Sequence, residues 1–464
     1  MILFALGHSS NSSKRKHSQH NSKVGSMLIN TYPLRSRLPY GLIIVCFALM
    51  GIAVVNLAAA TRVGATALHW VHLLRCAVAC GIGAVVVLLP ANKLRQLIWP
   101  CYVLSLMLLV AVLVAGVTVN GAQRWVDLKV TRLQPSELAK ISVLLALATF
   151  CAKDWPRHGY TLSRLIRIWA LWRPIAVAAA AVGAVWLKYR LLRDALLSSW
   201  LTIAAALLLL LLWGLWLAGC IHLLLQRGWR WRQQVSVVDL VAAPAALVFM
   251  QPDLGTTLLL LAPLACMVLF CGVRIKSALL AGLLLAGLAV GAWYGLLQDY
   301  QKRRVYSLLQ PQSDLRGSGY HAAQSLIAIG SGKWMGKGFG EGTQTQLSFL
   351  PESRTDFVLA LWAEEWGLFG SMLVLALFAL LVIQMLYISQ HAADRFGQLL
   401  AFGAACLVFW HVIINVGMVL GLLPVVGAAL PFLSYGGTSL LLHVLAVSLC
   451  VHVALWRQEA DDIV

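Results

Sequence analysis

The chain has 464 residues, 60% of them hydrophobic and only 11% charged. Soluble domains run near ~25% charged, so a water-facing surface for a fold of this length is excluded and a bilayer-facing one is implied. The net charge of +19 does not point to nucleic acid, because Lys and Arg are spread over a terminal tail and short loops between apolar runs, a pattern that marks cytoplasmic loops and meets anionic membrane lipid.

In chain order, residues 1–39 are polar and basic (Lys14, Arg15, Lys16, Lys23, Arg35, Arg37). They lack the ordered regions of a cleaved signal and read as a disordered cytoplasmic tail. Apolar stretches long enough to span then fall near 40–59, 71–90, 97–118, 136–152, 168–187, 197–224, 235–251, 254–273, 276–297, 356–387, 398–423 and 434–456. That makes about twelve spans and predicts an all-α polytopic membrane protein, with 457–464 as a second cytoplasmic tail. With the first tail inside, Lys93, Arg95, Lys153, Arg157, Arg164, Arg167, Arg227, Arg230, Arg232, Arg274 and Lys276 are inside too. Segments 119–135, 298–355 and 424–433 then face outside. Lys188, Arg190 and Arg193 break the rule on one short outer loop. Because they fall within one pair of spans, they do not invert the orientation of the later spans.

Segment 298–355 is rich in glycine but carries anchors at Tyr320, Ile327, Trp334, Phe339 and Phe349. It is expected to be an ordered outer loop with an amphipathic helix over 319–329. The ten cysteines lie almost entirely in apolar stretches, without disulfide or zinc spacing. Cys76 and Cys80 read as filling. His69, His72, His411 and His443 are scattered in or near spans and read as packing or interfacial residues.

Charges in or beside spans are costly and point to function. Asn120–Trp125 precedes Gln134-Pro135-Ser136-Glu137, with Lys140 one turn beyond Glu137. This is either a neutralising pair or the wall of an outer cavity in which Arg124 and Lys140 meet pyrophosphate oxygens. Gln251-Pro252-Asp253 to Thr257 is a polar break, with Asp253 placed to cap the next helix. In Arg304–Ser325, Asp314 sits between a proline turn and glycines, where a carboxylate is either a turn former or a general base. Phe349–Phe357 enters a helix that Thr355 or Asp356 can cap, and Pro424–Thr438 is its partner before the last span.

These motifs, in this order, resemble the SEDS proteins, the family of RodA, FtsW and SpoVE, over roughly residues 38–458 apart from about 160–234. Leu423–Gly427 with Leu430-Pro431, and Gly330–Gly338, look more like RodA than FtsW. The resemblance implies a helical bundle of about ten core spans, with about two more in the 160–234 insert. It implies a peptidoglycan glycosyltransferase that polymerises lipid II on the outer face of the bacterial cytoplasmic membrane, beside a class B penicillin-binding protein. The implied base is Asp314, which would deprotonate the acceptor GlcNAc 4-hydroxyl for inverting displacement of undecaprenyl pyrophosphate. Arg124, Glu137 and Lys140, with Gln324 and Ser434, map onto its cavity. A divalent cation, Mg or Mn, could assist at the pyrophosphate. The chain departs from the pattern at Ser353-Arg354, where relatives carry a His before the Thr. A lipid-linked precursor flippase and a non-catalytic scaffold for a penicillin-binding protein are the alternatives.

Overall fold

The computed structural model describes residues 38–60, 68–119, 122–127, 132–155, 159–161, 237–251, 253–295, 299–309, 318–343 and 352–456. The extra spans expected near 168–187 and 197–224, the tails 1–37 and 457–464, and Asp314 lie outside the described residues.

The elements in order are α1 (Tyr40–Ala60), α2 (Leu68–Leu88), α3 (Ala91–Ala115), β1 (Val117–Val119), β2 (Ala122–Asp127), β3 (Arg132–Leu133), α4 (Pro135–Lys153), α5 (Val237–Met250), α6 (Leu254–Phe270), α7 (Ile275–Gly295), α8 (Asp299–Leu309), α9 (Ser318–Gly332), α10 (Val358–Gln390), α11 (Arg395–Val419) and α12 (Gly437–Leu455). Among the described residues, eight helices are long and apolar enough to cross a bilayer, and α5 and α6 are shorter apolar helices. A helix satisfies its own backbone, which is why such runs are helical in lipid. The expected amphipathic helix is α9.

Helix α4 is central. Every residue from Pro135 to Cys151 except Leu138 is buried, and α3, α5, α11 and α12 pack around it. Helix α7, by contrast, is exposed along its length. The span expected near 97–118 starts earlier, at Ala91, and ends at Ala115. Residues beyond it form a small antiparallel sheet, in order β1-β2-β3, with Val117 opposite Trp125 and Val126 opposite Leu133. The β-branched run from Val117 to Val119 is as hydrophobic as a helix end, so hydropathy alone extended the helix through it.

Helix α10 is broken at Gly367 (φ 64°, ψ −159°). The turn after α9 docks onto the break. Lys337 N–H donates to Glu364 O (3.0 Å), Gly338 N–H to Glu365 O (3.0 Å), and Leu368 N–H to Lys333 O (2.9 Å). Backbone groups freed by the break are thereby satisfied within protein, as lipid requires. The approach is close enough that a Cβ on Gly336 would lie 2.1 Å from Glu365 O. At the far end of the bundle, Arg95 pairs with Asp394, which caps α11 through Gly397 N–H.

Candidate functional site

The site is built at the end of the bundle where the four polar motifs meet. Asp253 starts α6: Oδ1 accepts from Thr256 N–H (3.1 Å) and Oδ2 from the Thr256 hydroxyl (2.8 Å). The capping role expected from sequence is therefore present. Arg124, on β2, brings Nη1 to 3.3 Å from the same Asp253 Oδ2. Asp253 is almost sealed, while the Arg124 side chain keeps 22% exposure. A guanidinium held on a carboxylate and still partly exposed is suited to a further anion.

Asp356 stands beside this pair. Burial pushes its carboxyl up to about 7, helped by Glu352 and Asp253 and opposed by Arg304 and Arg124. Neither Asp356 nor Thr355 caps α10, contrary to the sequence expectation. The cap position is Phe357, without a side-chain bond, and the Thr355 hydroxyl donates to Glu352 Oε2 (2.9 Å). A carboxyl that exchanges its proton near neutrality, inside a polar site, is a candidate acid or base. Sequence reasoning missed it, because its burial, and the charges of Asp253, Arg124 and Arg304 that join its neighbour Glu352 around it, come from distant segments.

Asn415 on α11, also missed, fastens the site floor. Its Nδ2 donates to Asp356 O (2.7 Å) and to Ala428 O (2.6 Å). The Ser434 hydroxyl donates to Thr355 O (2.5 Å) and accepts from Leu430 N–H (2.7 Å), and Tyr435 N–H donates to Arg354 O (2.9 Å). Two loops distant in sequence thus become one wall. Helix α9 closes the other side. Ser325 donates to Val419 O (2.8 Å) and the His321 ring stacks on Phe357 at 6.0 Å.

The expected binding residues divide into two sets. Arg124 and Gln324 keep partial exposure. Glu137, Lys140 and Ser434 are buried, at 6%, 2% and 3%. Lys140 turns its ammonium inward, donating to Glu137 Oε1 (2.8 Å) and to His411 Nε2 (3.0 Å). His411 Nδ1 lies 2.8 Å from Leu407 O. That contact requires the proton on Nδ1, so Nε2 is the lone-pair acceptor. His411 is therefore more than the packing residue the sequence suggested. It is the second acceptor of a buried cation, with the His443 ring T-shaped against it at 4.7 Å.

Among the described residues no cluster of three or more His, Cys, Asp or Glu could hold a metal ion.

Comparison with known proteins points the same way. A protein-family model described as "Cell cycle protein", covering FtsW, RodA and SpoVE, matches residues 37–239 and 215–459. The peptidoglycan glycosyltransferase MrdB of Escherichia coli K12 is 36% identical over 340 residues, 73% of each chain. A probable peptidoglycan glycosyltransferase FtsW of Aliivibrio salmonicida is 32% identical over 398 residues, 85% of this chain and 82% of that protein. Among solved structures, a chain of a peptidoglycan synthase complex that coordinates polymerization and crosslinking is similar with a TM-score of 0.63 and 27% identity, over 90% of this chain and 98% of its own. The rod shape determining protein RodA of Thermus thermophilus is similar with a TM-score of 0.53 and 25% identity, over 90% and 97%.

Proposed function

The chain belongs to the FtsW, RodA and SpoVE family, whose members are peptidoglycan glycosyltransferases, and on that premise we propose how this one works. It is a multi-pass membrane enzyme that joins lipid II units into glycan. The reaction takes place on the outer face of the bacterial cytoplasmic membrane, with both termini in the cytoplasm. The observation that carries the reading is the meeting of Arg124, Asp253, Asp356 and the docked 318–343 segment at a single end of the bundle. A transporter's substrate site lies instead near the bilayer midplane.

Asp314, in the stretch of sequence between α8 and α9, takes the proton of the acceptor GlcNAc 4-hydroxyl. That oxygen attacks the donor MurNAc anomeric carbon, and undecaprenyl pyrophosphate leaves from the opposite side. Negative charge grows on the leaving group, and the partly exposed guanidinium of Arg124 is placed to stabilise it. Gln324 borders the acceptor side. Glu137, Lys140 and Ser434 act on substrate through the walls they hold. Inversion follows from a single displacement. The glycan product needs crosslinking, and a class B penicillin-binding protein beside this chain supplies it. The likeness to a chain of a synthase complex supports that partner.

The test is Asp314→Ala in full-length protein reconstituted with lipid II, with and without the transpeptidase. Glycan ladders should vanish while the thermal melt is unchanged. Ladders of normal length from the variant would reject Asp314 as the base, and lipid translocation without ladders from the unaltered protein would reject polymerisation.

A further inference from the structure

Arg75 stands within α2, seven residues below its start, where a cation is costly unless it has a task. Among the described residues its guanidinium has no carboxylate partner; the salt bridges there involve other cations. It lies over the Tyr435 ring, 4.4 Å from the centroid. That contact orients the charge but does not neutralise it. The same Tyr435 binds Arg354 through its backbone, and among the described residues Arg354 likewise has no carboxylate, only the Ala60 carbonyl at 3.3 Å.

The start of α12 adjoins this pair. Its cap is Gly436, with no side-chain bond, and a Cβ on Gly437 would sit 3.6 Å from Arg75 Cδ and Nε. The first N–H groups of the helix therefore open beside a guanidinium, an arrangement suited to a phosphate. Below them His72 is fully buried, its ring 6.1 Å from that of Tyr435 and turned to the Phe432 backbone.

We propose that Arg75, Arg354 and the open first turn of α12 form a second diphosphate subsite, separate from the one at Arg124. The proposal rests on the glycosyl-transfer reading. In that reaction both donor and acceptor carry a prenyl diphosphate, yet only the donor's is released. The acceptor's must be held through the reaction by cations that the leaving group does not occupy. Arg75 holds the acceptor's diphosphate, with the prenyl chain passing over the apolar outer face of α2 at Trp70, Leu74 and Val78.

The test titrates full-length protein in nanodiscs with undecaprenyl diphosphate, reading stoichiometry by native mass spectrometry, with inorganic pyrophosphate in a parallel arm. The expected result is two prenyl diphosphates per chain, one in Arg75→Gln, and two again in Arg75→Lys with about tenfold weaker binding at the affected site. Competition by inorganic pyrophosphate at both sites shows recognition of the diphosphate itself. In turnover, Arg75→Gln should raise KM for lipid II more than it lowers kcat. A single site in the unaltered protein, two sites surviving in Arg75→Gln, or pyrophosphate binding at Arg75 without the prenyl form would each overturn the proposal. Should Arg75→Gln not fold, Arg354→Gln and the stoichiometry of the unaltered protein still decide it. If the unaltered protein makes no glycan but the stoichiometry behaves as stated, the subsite stands and the polymerase reading fails.

Discussion

Removing the Glu364 carboxylate should release the segment 333–343 from α10. Glu364 is fully buried, and its Oε1 accepts from Lys337 Nζ (2.6 Å), Thr343 N–H (2.9 Å) and the Thr343 hydroxyl (2.8 Å). Glu364→Ala removes the shared acceptor of all three donors at once, leaving Lys337 Nζ only its bond to the Thr343 hydroxyl (2.9 Å). Breaking a sealed ion pair from one side costs about 3–5 kcal/mol. The Lys337 side chain is 27% exposed, so water recovers part of its charge and the ionic share falls to about 2 kcal/mol. The stranded amide and hydroxyl add about 1–2 kcal/mol. A total near ~3 kcal/mol corresponds to about a hundredfold in the opening equilibrium. The effect should be local, because the helices that pack around α4 do not depend on this contact. Hydrogen exchange in nanodiscs reads it directly. The amides of Lys337, Gly338 and Thr343 should exchange about a hundredfold faster, while those of α4 stay protected. Glu364→Gln, which keeps an acceptor oxygen, should give only about tenfold. Glycan synthesis should fall in the same order, since this contact seats the turn after α9 against α10. Unchanged exchange at Gly338 and Thr343 in Glu364→Ala would refute the argument.

Asp356 gives a pH dependence with a definite sign. Its folded value of about 7 lies above the ordinary 3.8, so between these the folded chain binds a proton that the unfolded chain has released. Stability should fall as pH rises from about 4 to about 7, then level off. In Asp356→Asn that contribution disappears, so melting temperatures should match the parent near the acid end and exceed it at pH values above the transition; parallel profiles would count against it. His411→Leu leaves the Lys140 ammonium one acceptor short in a sealed site and should cost about 2–4 kcal/mol in a thermal melt. His411→Gln should recover most of it by offering an amide oxygen, and equal losses in the two variants would exclude the acceptor role.

Much of this architecture was legible from residue order alone, for a simple reason. A span must be about 20 apolar residues with its backbone satisfied internally, so the helices at 40–60, 68–88 and 395–419 announce themselves locally. The Asp253 cap is local too, reaching three residues along its own chain. Other features are not local. Asp356 owes its raised proton affinity to burial and to Glu352 and Asp253, the latter about a hundred positions away. The Lys140–His411 bond spans 271 positions. The Gly367 break is filled by a turn from another segment. Hydropathy could not separate β1 from the end of α3, because a Val-rich strand and a helix end are equally apolar. Composition and spacing therefore determined that the chain crosses a membrane and where its polar groups gather. Which carboxyl exchanges a proton, which cation is sealed and which keeps partial exposure were decided only by packing, since the field at a charged group includes neighbours that the chain brings from afar.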